Sequence, residues 1–174
     1  FAAAPLRTPI HIALSYDEEV GCLGIPVLLD ELAIAGIKPD GCVVGEPTSV
    51  GKAGDTLKIG RRGSINFKLV VKGVQGHVGY PHMADNPITR LVAIVAELKA
   101  RVLDKGNDWF QASNLEITDL AVGNPATNLI PAQARARLNI RFNNEHTGAS
   151  LSEWIRAAVA AHAPASHVDI KISG

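Results

Sequence analysis

Arg135-Ala136-Arg137-Leu138-Asn139-Ile140-Arg141-Phe142 alternates polar and apolar residues without a break. A period of two puts Ala136, Leu138, Ile140 and Phe142 on one face of a strand and Arg135, Arg137, Asn139 and Arg141 on the other. A strand with one wet face belongs to an antiparallel sheet covered on one side. Upstream, the same alternation begins at Ser64, with Ile65, Phe67, Leu69 and Val71 on one side and Asn66, Lys68 and Lys72 on the other. Between them, Asp85-Asn86-Pro87 opens a helix whose apolar residues Ile88, Leu91, Val92, Val95, Leu98 and Val102 recur at helical spacing. Leu115 to Leu120 reads as a weaker strand. Downstream, Ser150-x-x-Glu153 has capping-box spacing and opens a helix through Trp154, Ile155 and Val159 that ends before Pro164. Val168, Ile170 and Ile172 make a last strand. The order from Ser64 to Gly174 is therefore β-α-β-β-α-β, which predicts a ferredoxin-like sheet of four antiparallel strands with both helices on one face.

The first third reads differently. Ile10 to Leu14 and Cys42 to Val44 are short apolar runs that flank a helix over Ile25 to Ile34, with Pro26 in its first turn and Gly36 at its end. Strand, helix, strand predicts a parallel α/β arrangement. The change of pattern falls at Gly60-Arg61-Arg62-Gly63, so the expected domains are 1–62 and 63–174. The whole chain is expected to be α/β.

Composition narrows the function. The 174 residues carry 17 Lys+Arg and 17 Asp+Glu, a balance that argues against nucleic-acid or polybasic membrane binding. No apolar run approaches the roughly 18 residues of a membrane-spanning helix, and a cytoplasmic location is expected. Cys22 and Cys42 lack metal-ligand or disulfide-scaffold spacing and read as reduced thiols. The chain starts at Phe1 and its single methionine is Met83, so a piece of a longer protein is expected.

Ligands of open parallel sheets bind beyond the carboxyl ends of strands. Two acidic stretches fall there: Asp17-Glu18-Glu19, and Glu46 in Gly45-Glu46-Pro47-Thr48. Carboxylates on one rim suit a divalent metal, and one left off the metal suits a general base. By spacing alone, three acids in a row more often solvate a loop. His77 and His82 lie in a loop punctuated by glycine and proline, where a side chain projects freely. Arg61, Arg62 and Arg141 have the guanidinium forks that match carboxylates, or are ordinary surface charge. His167-Val168-Asp169 reads as surface, and His11, His146 and His162 belong to no constellation. Neither a nucleotide-binding glycine pattern nor G-x-S-x-G occurs.

Taken together, Asp17-Glu18-Glu19, Val44-Gly45-Glu46-Pro47-Thr48, the run from Gly54 to Ser64, Gly73-Val74-Gln75-Gly76-His77-Val78-Gly79-Tyr80-Pro81-His82 and Asp85-Asn86-Pro87 resemble the dinuclear zinc deacylases. That family includes succinyl-diaminopimelate desuccinylase, acetylornithine deacetylase and carboxypeptidase-type enzymes, and the motifs are most similar to the desuccinylase. The stretch from Ser15 to Gly24 looks more like the acetylornithine deacetylase version.

The resemblance implies part of a zinc-peptidase-like catalytic domain followed by a lid that forms a homodimer. It implies that Glu18 is the general base, that Glu19 and Glu46 each bind one of two zinc ions per subunit, with cobalt as a substitute, and that His77 reaches into the partner subunit's site to polarise the amide carbonyl. Arg61, Ser64, Asn128 and Arg141 match positions that line the pocket for an N-acyl amino acid. The remaining metal ligands, an H-x-D motif upstream of Asp17 and a histidine downstream of Gly174, fall outside these residues. The chain alone is thus expected to bind zinc weakly and to be inactive. The alternatives are acetylornithine deacetylase and a non-catalytic dimerisation module.

Overall fold

The computed structural model describes residues 8–174. The chain divides into two compact units, Phe1–Thr56 and Leu57–Gly174.

In the first unit the expected helix forms as α1 (Gly24–Ile34). Gly36 follows it with φ 66°, and the Ile37 backbone N–H closes the end onto the Leu32 carbonyl at 2.9 Å, a left-handed glycine terminus. The strands expected at Ile10 to Leu14 and Cys42 to Val44 are not formed. A strand exists only as one side of a ladder, and no described segment of this unit pairs with either run. Ile12, Leu14 and Val43 accordingly remain 85%, 86% and 94% exposed.

The second unit is the ferredoxin-like sheet. Its strands are β1 (Gly63–Lys72), β3 (Asn114–Ala121), β5 (Gln133–Phe142) and β6 (Val168–Ser173), ordered β3-β5-β1-β6 with every neighbour antiparallel. α2 (Pro87–Ala100) and α3 (Gly148–His162) pack on one face. The alternation read from the sequence is the observed burial: Ile65, Phe67, Leu69 and Val71 of β1 and Ala134, Ala136, Leu138 and Ile140 of β5 form the core with Leu91, Ile94, Leu98, Leu151 and Ile155. The open face carries the charges. Lys68 stands between Lys171 and Arg137 in register, while Lys72 pairs with Asp169 at 2.8 Å. A short ribbon, β2 (Gly76–His77) with β4 (Leu129–Ile130), stands apart from the main sheet.

Several details correct the sequence reading. In α2 the buried stripe is Pro87, Leu91, Ile94 and Leu98, spaced by four, three and four. Val92 lies off that stripe at 54% exposure, and Val102 lies past the helix end at Arg101. In β3 the register shifts between Ile117 and Asp119. Thr118 is the extra residue of this bulge; Leu115 is buried, whereas Leu120, near the end of the strand, is exposed. The capping box of α3 is Thr147 with Ser150, not Ser150 with Glu153. Thr147 has extended backbone, its hydroxyl accepts the Ser150 N–H, and the Ser150 hydroxyl accepts the Thr147 N–H, each at 3.1 Å. Because two N–H groups depend on it, Thr147→Ala is expected to cost about 1 kcal/mol. Urea unfolding of the chain checks this, and an unchanged midpoint would refute the cap. Among the described residues no helix is long and apolar enough to cross a membrane.

Candidate active site

Glu18 and Glu19 open a single 3-10 turn, Glu18–Val20. Asp17 and Cys22, on either side, have φ of 59° and 56°, and the Cys22 N–H donates to the Asp17 carbonyl at 2.8 Å. Left-handed backbone at two non-glycine residues is costly, and such strain concentrates at functional segments. The turn leaves both glutamates exposed. Glu46 is held by backbone on both sides: its N–H donates to Val44 at 3.0 Å and its carbonyl accepts from Thr48 at 2.8 Å. Asp55, from the same motif run, has a different task. Its carboxylate accepts the N–H groups of Val50, Gly51 and Lys52 at 2.7 to 3.0 Å. These bonds, that from Lys52 first, hold its carboxyl far below the usual range. Asp55 thus closes the 50–55 loop.

The donors among these residues are hard carboxylate oxygens, which suit a divalent metal in kind. They do not complete a site. No three His, Cys, Asp or Glu side chains among the described residues are grouped to hold an ion.

In the second unit the structure joins the expected residues in two pairs. The ribbon places His77 opposite Leu129, and the Val78 N–H donates to the Asn128 carbonyl at 3.0 Å, so His77 and Asn128 are neighbours. The loop bearing His77 is closed at its base by reciprocal Val74 and Asp85 backbone bonds of 2.9 Å. Arg90 reaches the Asp85 carboxylate at 2.7 Å. The second pair is Ser64 and Arg141, direct partners across β1 and β5. Gly63 comes just before, and a Cβ there would collide with the Phe142 ring, which would have to move to admit any other residue. Arg141 is exposed. Asn139, read from the sequence only as a wet-face residue, donates to the Ser64 hydroxyl at 3.2 Å and to the Asn66 side-chain oxygen at 2.8 Å. It fixes the hydroxyl beside Arg141, and the only sequence signal for it was its place on the polar face. Arg61 lies in the segment leading into β1. Its neighbour Arg62 is anchored on the Ala112 carbonyl at 3.0 Å and on the Asn114 side chain at 3.2 Å.

Three of the histidines outside the motif run are engaged elsewhere. His146 contacts Asp104 at 3.1 Å, His162 bridges α3 to Glu97 of α2 at 2.6 Å, and His167 lies in a 3-10 turn 3.8 Å from Asp85.

Known proteins resemble this chain. Residues 59–167 match the family described as the peptidase dimerisation domain. A succinyl-diaminopimelate desuccinylase of Gluconacetobacter diazotrophicus is 52% identical over 170 residues, which cover 97% of this chain and 44% of that protein. One from Novosphingobium aromaticivorans is 60% identical over 151 residues, covering 87% and 40%. The chain spans about half the length of the curated relatives it matches. The crystal structure of aminopeptidase PepT from Bacillus cereus superposes with a TM-score of 0.51 at 17% identity, over 66% of this chain and 32% of that one, a likeness of fold. With the family match covering β1, β3 and β5 of the ferredoxin-like sheet, both helices and the His77 ribbon, the chain belongs to the M20 peptidase dimerisation domain family.

Proposed function

We propose that the chain is part of a metal-dependent amide hydrolase that releases succinate from N-succinyl-LL-2,6-diaminopimelate, a cytoplasmic step of lysine and diaminopimelate biosynthesis. The observation that carries this reading is 52% identity over 97% of the chain to a protein named for that activity. Enzymes of the M20 family are metal-dependent. The finer assignment, two zinc ions per subunit with Glu19 and Glu46 each on one of them, rests on the motif resemblance, as does cobalt as a substitute. In this reading residues 1–62 contribute part of the catalytic domain and 63–174 are the lid, through which two copies form a homodimer.

The chain's residues divide the work by chemical type. Glu18, an exposed carboxylate on a strained turn, takes a proton from the attacking water and returns it to the amine as the amide C–N bond breaks. His77 donates a hydrogen bond to the carbonyl oxygen as negative charge builds there, in the partner subunit's site. Arg141 offers a guanidinium fork to a substrate carboxylate beside the Ser64 hydroxyl. Arg61 and Asn128 complete the pocket wall.

The test is turnover by the whole protein, metal supplied, on N-succinyl-diaminopimelate and on N-acetylornithine. Preference for the succinyl substrate is expected. Preference for the acetyl substrate would transfer the assignment to acetylornithine deacetylase, and turnover of neither would leave the lid's dimerising role alone.

A further inference from the structure

We infer that Gly79 is a positioning residue for His77: its backbone N–H, donated to Nδ1, holds the imidazole in the Nε2–H form that a carbonyl-polarising histidine requires. The bond is 3.0 Å. A backbone N–H can only donate, so Nδ1 must present its lone pair, and the neutral ring then carries its proton on Nε2. This differs from a bond to a hydroxyl or a side-chain amide, whose direction is open.

The surrounding backbone makes the contact reproducible. The Tyr80 N–H donates to the His77 carbonyl at 2.9 Å, turning the chain back so that Gly79 faces the ring. The pairing of His77 with Leu129 and the bond from Val78 to Asn128 fix the other side of the turn. The ring occupies the space a side chain at position 79 would take. A Cβ built on Gly79 lies 3.1 Å from Nδ1 and 3.4 Å from Cε1, so a methyl group there is admitted once the ring gives by a few tenths of an ångström. The consequence for chemistry follows from the proton's position. In the Nε2–H form the nitrogen left over is a donor, which stabilises an oxygen that is gaining charge. In the other neutral form it is a lone pair, which repels that oxygen. The catalytic consequence rests on the proposed hydrolase reading, whereas the proton's position is a property of the chain itself.

The proton can be located directly. In the 15N-labelled 174-residue chain, proton–nitrogen correlation spectra of the neutral His77 ring, assigned by its disappearance in His77→Gln, report which nitrogen is protonated. A free histidine side chain already leans toward Nε2–H, so completeness is the diagnostic. The wild type is expected to show the Nε2–H form alone, as is Gly79→Ala, which keeps the N–H. Gly79→Pro, which has none, is expected to show the mixture of a free side chain. A free-side-chain mixture or the Nδ1–H form in the wild type overturns the inference, as does an unchanged single form in Gly79→Pro. In the whole protein, Gly79→Pro is expected to lower kcat on the succinyl substrate by about tenfold or more with little change in KM. If the whole protein turns over no succinyl substrate, the proposed function fails while the spectra still decide where the proton sits.

Discussion

Replacing Glu18 by Gln in the whole protein is expected to lower amide hydrolysis by roughly a hundred- to ten-thousandfold, the range of a positioned general base, while bound metal stays at the wild-type level. Gln keeps the length and hydrogen-bonding capacity of Glu but cannot take a proton. The backbone of the Glu18–Val20 turn is closed by main-chain bonds, Gly21 to Glu18 at 3.3 Å and Cys22 to Asp17 at 2.8 Å. The substitution therefore leaves the turn intact, and with it the neighbouring Glu19. This separates base from ligand: metal loss together with activity would move Glu18 into the ligand set, and undiminished turnover would remove it from the site. Glu19→Gln is the matching control, expected to weaken metal retention.

The sequence made the second unit legible because burial there follows simple periods. β5 alternates over its ten residues and β1 does so from Ile65 apart from the apolar Val70, and their inward residues are buried as the alternation predicts. The reading lost accuracy wherever tertiary context chose between local solutions. Ser150-x-x-Glu153 satisfies a capping-box pattern, yet Thr147 takes the extended cap conformation three residues earlier and uses Ser150 as its reciprocal partner. Strands β2 and β4 are two residues each, too short to show a period, and they are what bring His77 beside Asn128. The strands expected around α1 illustrate the opposite limit. An apolar run is a strand only when a partner supplies the other half of its hydrogen bonds, and sequence composition does not reveal the partner. The candidate site residues stood out as motifs; the Gly79 contact to His77 did not, because a glycine's backbone donor leaves no mark in a pattern of side chains.

Asp104 shows how much structure a pattern of side chains can hide, and it gives the largest expected loss of stability. It follows α2, and its carboxylate accepts the Gly106 N–H at 2.7 Å, the Ser113 N–H at 3.1 Å and the Asn143 side-chain amide at 2.9 Å, with His146 Nε2 at 3.1 Å. Two of these partners lie 39 and 42 residues away, so no local motif announces them. Ser113 in turn accepts the Asn143 N–H at 3.0 Å, and this tied cluster joins the α2–β3 loop to the β5–α3 loop. The side chain is 5% exposed. Asp104→Ala strands several donors at once, and a loss of about 3 kcal/mol or more is expected near neutral pH. Acid should act in the same direction. Burial pushes the Asp104 carboxyl up, but the bonds from the Ser113 hydroxyl, the Gly106 and Ser113 backbone and Asn143 outweigh it and lower the carboxyl from 3.8 to about 2. A carboxyl lowered on folding binds fewer protons in the native than in the unfolded state. Its contribution is therefore complete above pH 3.8 and is lost as pH falls toward 2. Urea unfolding across that interval should show the wild type losing stability more steeply than Asp104→Ala, so that the two curves converge in acid. Parallel curves, or a neutral-pH loss below about 1 kcal/mol, would mean that the two loops are held together by something other than this carboxylate.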